Sequence, residues 1–130
     1  MRSTIDLVED FYNSFEARDP ARLAAALSPQ FVGHVSEGMP GGVGGRHEGP
    51  EAMLAGVWLR TFAAYDVTPV PDTIRVAEDG GVVVHGWYTG VCRATGEAMR
   101  AEFVHLLELD GDHIAVLRQV TDTASWPRPS

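Results

Sequence analysis

Apolar residues recur at three- and four-residue intervals from the first turn of the chain. Ile5, Val8, Phe11, Tyr12 and Phe15 share one face of a helix predicted over residues 3–18. Ser3 or Thr4 is placed to cap it by accepting from its first free backbone N–H groups. "RDPARLAAAL" predicts a second, short helix, with Asp19 as its cap and Pro20 where a missing N–H costs nothing. "QFVGHV" (30–35) is rich in β-formers and reads as a strand. "GPEAMLAGVWLRTFAAY" then predicts a third helix, with Glu51 in a first turn where the helix dipole favours a carboxylate.

Beyond that helix the pattern changes to strands: "YDVTPVPDTIRVA", "GGVVVHGWYTGVCRA", "AMRAEFVHLLEL" and "HIAVLRQVTDT". Turn chemistry separates them, in "EDGG" (78–81), "ATGE" (94–97) and "LDGD" (109–112). Three helices followed by an antiparallel meander predict an α+β fold, with the helices on one face of the sheet. Strands this long imply a strongly curved sheet, a cone that wraps the helices and leaves an apolar hollow at one end. One domain is expected over residues 1–126, with an irregular tail at 127–130.

The interval "SEGMPGGVGGRHEGPEAM" (36–53) interrupts this pattern with five glycines and a proline between Gly38 and Gly45. A phosphate-binding loop needs a lysine after its last glycine and a Ser or Thr for magnesium, and neither is present. A dinucleotide fingerprint needs a parallel βαβ unit, and this chain begins with helices. The interval is short and flanked by patterned elements, which argues against disorder. Two readings stand: a mobile cover over the hollow, for which glycines permit the necessary turns, or a surface loop without a role.

Charge narrows the partners. The 130 residues carry a formal net charge of −8, which excludes the basic stripe of a nucleic-acid binder and attraction to an anionic membrane. A small neutral or cationic organic ligand remains compatible. Cys92 is the one cysteine, so no intramolecular disulfide forms. The start of the chain has no apolar leader and no run approaches a membrane span, so a cytoplasmic location is expected.

The titratable residues suggest where chemistry sits. The histidines at 34, 47, 85, 105 and 113 include no His-x-x-x-His pair, so neither a metal site nor a cofactor is expected. His105 lies in a strand among Phe103, Val104, Leu106 and Leu107. It reads either as a core histidine bonded to a backbone carbonyl or as a donor that polarises a substrate carbonyl near neutral pH. Asp122 reads as a pocket base in an apolar surround, or as an acceptor for backbone N–H groups or Arg118. Tyr12, Trp58 and Tyr88 combine a flat apolar body with a polar tip, suited to an aromatic ligand and equally to a core. Gln119 can hold a ligand carbonyl or hydroxyl, or satisfy a buried backbone group.

Three stretches carry a family resemblance: "VEDFYNSFEARDPARLAAALSPQFVGH", "GRHEGPEAM" and "FVHLLELDGDHIAVLRQVTDT". Their order resembles the nuclear transport factor 2-like superfamily, and within it the SnoaL-like polyketide cyclase, limonene epoxide hydrolase and ketosteroid isomerase branch. The resemblance implies that His105 occupies the cyclases' strand histidine, while their aspartate fourteen residues on falls on Gln119. The second aspartate, three residues further, is matched by Asp122. The epoxide hydrolases' arginine and aspartate fall on Gly86 and Tyr88, so their water-activating pair is missing. The isomerase base position falls on Val35, one residue from His34.

The activity so implied is a cofactor-free isomerisation or cyclisation of a small apolar carbonyl compound, polyketide or terpenoid in type. His34 or Asp122 would remove a proton while His105 and a tyrosine hold the enolate oxygen. The alternatives are a non-catalytic small-molecule-binding module, favoured by Gln119, and a hydrolase or dehydratase on the same fold. The resemblance also implies a homodimer paired through the outer face of the sheet.

Overall fold

The computed structural model describes residues 2–129. α1 (Thr4–Glu16) opens on a reciprocal capping box: the Ser3 hydroxyl accepts from the Asp6 N–H at 3.1 Å, and the Asp6 carboxylate accepts from the Ser3 N–H at 3.4 Å. The helix ends before residue 18 because Arg18 turns to a left-handed φ of 52° and reverses the chain. Asp19 caps α2 (Pro20–Ala25) by accepting from the Arg22 N–H at 3.2 Å. β1 (Leu27–Val35) begins earlier than expected, where Leu27 pairs with Ile114 across the sheet. Pro29 has no N–H to give, and the pairing slips between Leu27 and Val32.

The glycine-rich interval is more ordered than its composition implies. Pro40–Gly42 forms one 3-10 turn, and β2 (Gly45–Glu48) folds back antiparallel on β1, pairing Gly45 with Val35 and His47 with Gly33. Met39 and Val43 are buried, so the interval is a hairpin with its apolar side chains plugged into the core. The Arg60 guanidinium donates to the Gly41 carbonyl and fastens it from above.

The third predicted helix is one run of helical backbone in three parts: α3 (Pro50–Met53), a π turn at Leu54–Trp58, and α4 (Leu59–Ala64). The meander follows as β3 (Tyr65–Val76), β4 (Val82–Cys92), β5 (Ala98–Asp110) and β6 (His113–Thr121). All strands join one curved sheet in the order β2-β1-β6-β5-β4-β3, giving the expected α+β fold. The meander is antiparallel, but the sheet as a whole is mixed because β1 runs parallel to β6. Residues 36–112 between them provide the long crossover that a parallel pair requires.

Curvature has a local cause in β3 and β4. The β3–β4 register shifts between Pro71 and Thr73, opposite Gly86. A Cβ at Gly86 would sit 2.2 Å from the Val70 carbonyl oxygen and 2.8 Å from the Pro71 Cα, so only glycine lets the strands approach this closely. The bent sheet then wraps α1: Val8, Phe11, Tyr12 and Phe15 pack into the same buried cluster as Val84, Tyr88, Phe103 and Leu107. Each such side chain contributes about 1.5–3 kcal/mol by leaving water.

Candidate functional site

The concave face of the sheet carries a chain of polar side chains inside this apolar cluster. His105, on β5, is 2% exposed and faces inward with Phe103 and Leu107. Its Nδ1 lies 2.7 Å from the Tyr12 hydroxyl on α1, and its Nε2 lies 2.7 Å from the Tyr88 hydroxyl on β4. The Phe103 ring stacks on the imidazole at a centroid distance of 4.1 Å and holds it in plane. The core-histidine reading expected a backbone carbonyl here; the partners are two tyrosines.

Gln119, opposite His105 on β6, extends the chain. Its Oε1 accepts from the Ser36 N–H at 3.2 Å, which fixes the amide orientation because that N–H is only a donor. The Gln119 Nε2 is thereby turned to the Tyr88 hydroxyl and donates to it at 2.9 Å. Ser36 closes the network by donating from its Oγ to the Gln119 carbonyl at 2.9 Å and accepting from the Thr121 N–H at 3.1 Å.

Burial without a compensating charge sets the protonation states. Desolvation lowers the His105 pKa to about 3, so the imidazole is neutral at physiological pH. Burial likewise raises Tyr12 and Tyr88 above the ordinary tyrosine value, with the Gln119 hydrogen bond offsetting part of the rise at Tyr88. Tyr12 O–H, imidazole N–H and Tyr88 O–H therefore supply three hydrogens to two links. One tyrosine hydroxyl hydrogen is left without an acceptor inside the triad. With the imidazole hydrogen on Nε2, that spare donor belongs to Tyr88.

Tyr88, His105 and Gln119 line a narrow cavity of about 30 Å³, which is room for about one water. Trp58, Met39, Met53 and Phe62 complete much of its wall. The hollow expected at one end of the cone is thus nearly filled. Met39 and Met53 are its most adaptable walls, since unbranched thioethers repack readily. The largest concavity lies elsewhere, an open groove of about 910 Å³ between α1 and β3. Tyr12 lines that groove, so the triad runs from the groove wall to the cavity wall.

Two predicted site residues lie outside this constellation. His34 sits on the opposite face of the sheet, because Phe31 and Val35 take the inward positions of β1 and period-two alternation turns residue 34 outward. It is flanked across the strands by Arg46 and Arg118, and its pKa is lowered first by partial desolvation and then by those two cations. Asp122 falls one residue beyond β6, where it is exposed and accepts from the Ser125 hydroxyl at 2.8 Å. Gly86, at the hydrolases' arginine position, has no room for a side chain. Among the described residues no three His, Cys, Asp or Glu side chains converge as a metal set.

Trp126, the last residue of the expected domain, is a wall residue that the sequence reading did not single out. It is 2% exposed, packs on Tyr88 at a centroid distance of 4.9 Å, and donates from Nε1 to the Thr121 hydroxyl at 3.1 Å. The Tyr65 hydroxyl pins the next residue by donating to the Pro127 carbonyl at 2.5 Å. A tryptophan followed by prolines just past the last strand was the available signal.

Comparisons with known proteins agree with this architecture. An NTF2-like protein from Burkholderia thailandensis superposes with a TM-score of 0.85 at 27% identity, covering 96% of this chain and 95% of that one. TerC, co-crystallised with polyporic acid, gives 0.80 at 21% identity over 92% of each chain. A polyketide cyclase (so described, as putative) from Sinorhizobium meliloti gives 0.71 at 21% identity, over 88% of this chain and 94% of that one. A search of curated protein sequences finds no match. The profile of the SnoaL-like domain matches residues 8–117, and with this inward-facing network on a curved six-stranded sheet the chain belongs to the SnoaL-like family of the NTF2-like superfamily.

Proposed function

We propose that the chain is a cofactor-free enzyme that closes a ring in a small apolar carbonyl compound of polyketide or terpenoid type. The observation that carries the reading is the Tyr88 hydroxyl on an aromatic cavity wall, held by His105 and Gln119 so that one His105 tautomer leaves its hydrogen free. Gln119 and His105 hold the Tyr88 oxygen, and burial keeps it protonated, so it serves as a donor to a carbonyl oxygen. Among the described residues no carboxylate lines the cavity, which disfavours an isomerisation that needs a base to strip a C–H proton. Ring closure asks less of the protein, because an enol carbon of the ligand is itself the nucleophile.

In that step the enol carbon forms the new C–C bond while the carbonyl π pair moves onto oxygen. Tyr88 gives that oxygen a proton, and the proton released by the enol O–H passes back to the Tyr88 oxygen. Such positioned proton donation contributes on the order of 10²–10⁴-fold in rate. Entry requires Met39 and its hairpin to lift, since the narrow cavity has room for about one water. TerC and the Sinorhizobium cyclase support the reading as proteins of the same fold whose descriptions name an organic ligand and a cyclase.

The test is a panel of linear polyketide-type ketones followed by mass spectrometry and absorbance. Conversion is expected in the wild type and in His113→Ala, and loss of at least about 10²-fold in Tyr88→Phe. Binding without conversion across the panel sinks the enzymatic reading. That outcome would favour the second one, a non-catalytic binding module, to which the missing carboxylate also points.

The outer sheet face supports pairing with a second copy of the chain, as the family resemblance implies. Val120 is 58% exposed and Val70 48%, and Leu106, Val83 and Val91 extend the same apolar surface. Sedimentation at micromolar concentration is expected to give a dimer that Val120→Glu weakens.

A further inference from the structure

Three hydrogens on two links make the Tyr12–His105–Tyr88 triad a two-state device. In one state the Tyr12 O–H donates to Nδ1, the Nε2–H donates to Tyr88, and the Tyr88 hydrogen is free at the cavity. In the other, the Tyr88 O–H donates to Nε2, the Nδ1–H donates to Tyr12, and the free hydrogen belongs to Tyr12. Both states are electrically neutral, and both keep the same heavy-atom distances of 2.7 Å. The two ends of the triad line different spaces: Tyr88 the narrow cavity, Tyr12 the open groove between α1 and β3.

We propose that this triad is a proton wire joining the outer groove to the buried cavity, with Tyr12 as its solvent-side terminus. The proposal rests on the reading of Tyr88 as the donor to a ligand carbonyl and names how that donor is recharged. When Tyr88 gives its free proton to the ligand oxygen, the Nε2 proton moves to the Tyr88 oxygen. The Tyr12 proton moves to Nδ1, and a water admitted past the groove wall, since Tyr12 is only 3% exposed, replaces it on the Tyr12 oxygen. One proton has crossed from groove to cavity, every bond broken has been re-formed one place along, and no ion stays buried.

Three observations support a wire over a static clamp. Both imidazole nitrogens are engaged by groups that donate and accept equally well, whereas a carbonyl or carboxylate partner would lock one tautomer. Among the described residues no charged side chain lines the cavity, so charge cannot be left there cheaply. The groove end is lined by Glu9, Glu16 and Asp72, so it is polar where the cavity end is apolar. Ring closure consumes one proton at the carbonyl oxygen and releases one from the enol. A wire that returns the second by the same route ends each turnover in its starting tautomer.

The wire is tested without any ligand, so its failure is separable from failure of the proposed reaction. Protein labelled with ¹⁵N at histidine is examined by NMR for the His105 ring nitrogens and for exchange of the ring N–H with solvent. Both tautomers are expected in the wild type, with shifts averaged between the two neutral forms. Tyr12→Phe is expected to slow ring N–H exchange by about 10²-fold, the low end of what a positioned proton-transfer group contributes. A merely structural Tyr12 gives the opposite sign, since loosening the core speeds exchange. Unchanged or faster exchange in Tyr12→Phe overturns the wire. A single fixed tautomer in the wild type overturns it too, even if the variant does not fold.

Discussion

Two histidines one strand apart, on opposite faces of the same sheet, show how much their surroundings decide. His105 on β5 faces the interior, carries no charge and binds two hydroxyls. His85 on β4 faces outward, where its Nε2 lies 2.6 Å from the Glu102 carboxylate and its ring packs edge-on against Trp87. The outer pair has the shorter contact, imidazole to carboxylate, yet it sits where water screens it: the two side chains are 30% and 59% exposed. The inner histidine has only neutral partners, but without it the Tyr12 hydroxyl has none and the Tyr88 hydroxyl keeps only Gln119. Contact distance therefore ranks these two sites in the wrong order. Desolvation ranks them correctly.

The sharpest way to break the comparison is His105→Leu, which keeps volume but strands the Tyr12 hydroxyl and leaves Tyr88 with Gln119 alone. A loss of about 2–5 kcal/mol is expected in urea denaturation, from the orphaned Tyr12 hydroxyl, the lost Tyr88 bond and imperfect packing. Gln119→Leu should follow at about 1–3 kcal/mol by the same assay, since the Ser36 N–H loses its acceptor while Tyr88 keeps His105.

Acid sharpens the contrast further. The folded His105 pKa of about 3 lies below the ordinary 6.5, so between those values the unfolded chain binds the extra proton. Stability is expected to fall as pH drops from about 6 toward 3, by about 1.4 kcal/mol per pH unit. That slope should vanish in His105→Leu and persist in His85→Gln. The smallest effect belongs to Glu102→Gln, within about 1 kcal/mol at neutral pH, because an exposed pair contributes little. A larger loss there would mean that the outer face is covered, as in a dimer.

Local chemistry made most of the architecture legible. Ser3, Asp19 and the Asp-Gly turns act within a few residues of themselves, and the helices and hairpins fall where they place them. Long-range pairing was not legible. The parallel β1–β6 contact and the Tyr12–His105 bond, 93 residues apart, depend on how the sheet bends rather than on any nearby pattern. His34 was placed inside by a one-residue slip, although Phe31 and Val35 already gave the parity that turns it out. Asp122 was carried by family position, and the sheet stops one residue before it. β2 was hidden because a strand of "GRHE" has no apolar alternation to reveal it.

The π turn at Leu54–Trp58 amounts to one residue more than a regular helix would use. Winding the same residues as an unbroken regular helix, with no residue removed, would swing everything from Leu59 to Ala64 round the axis by about 100°. Phe62 would leave the cavity lining and Arg60 would release the Gly41 carbonyl. The wide turn takes up one residue's rotation, and without that slack the helix would part from the hairpin though no polar group of the triad had changed.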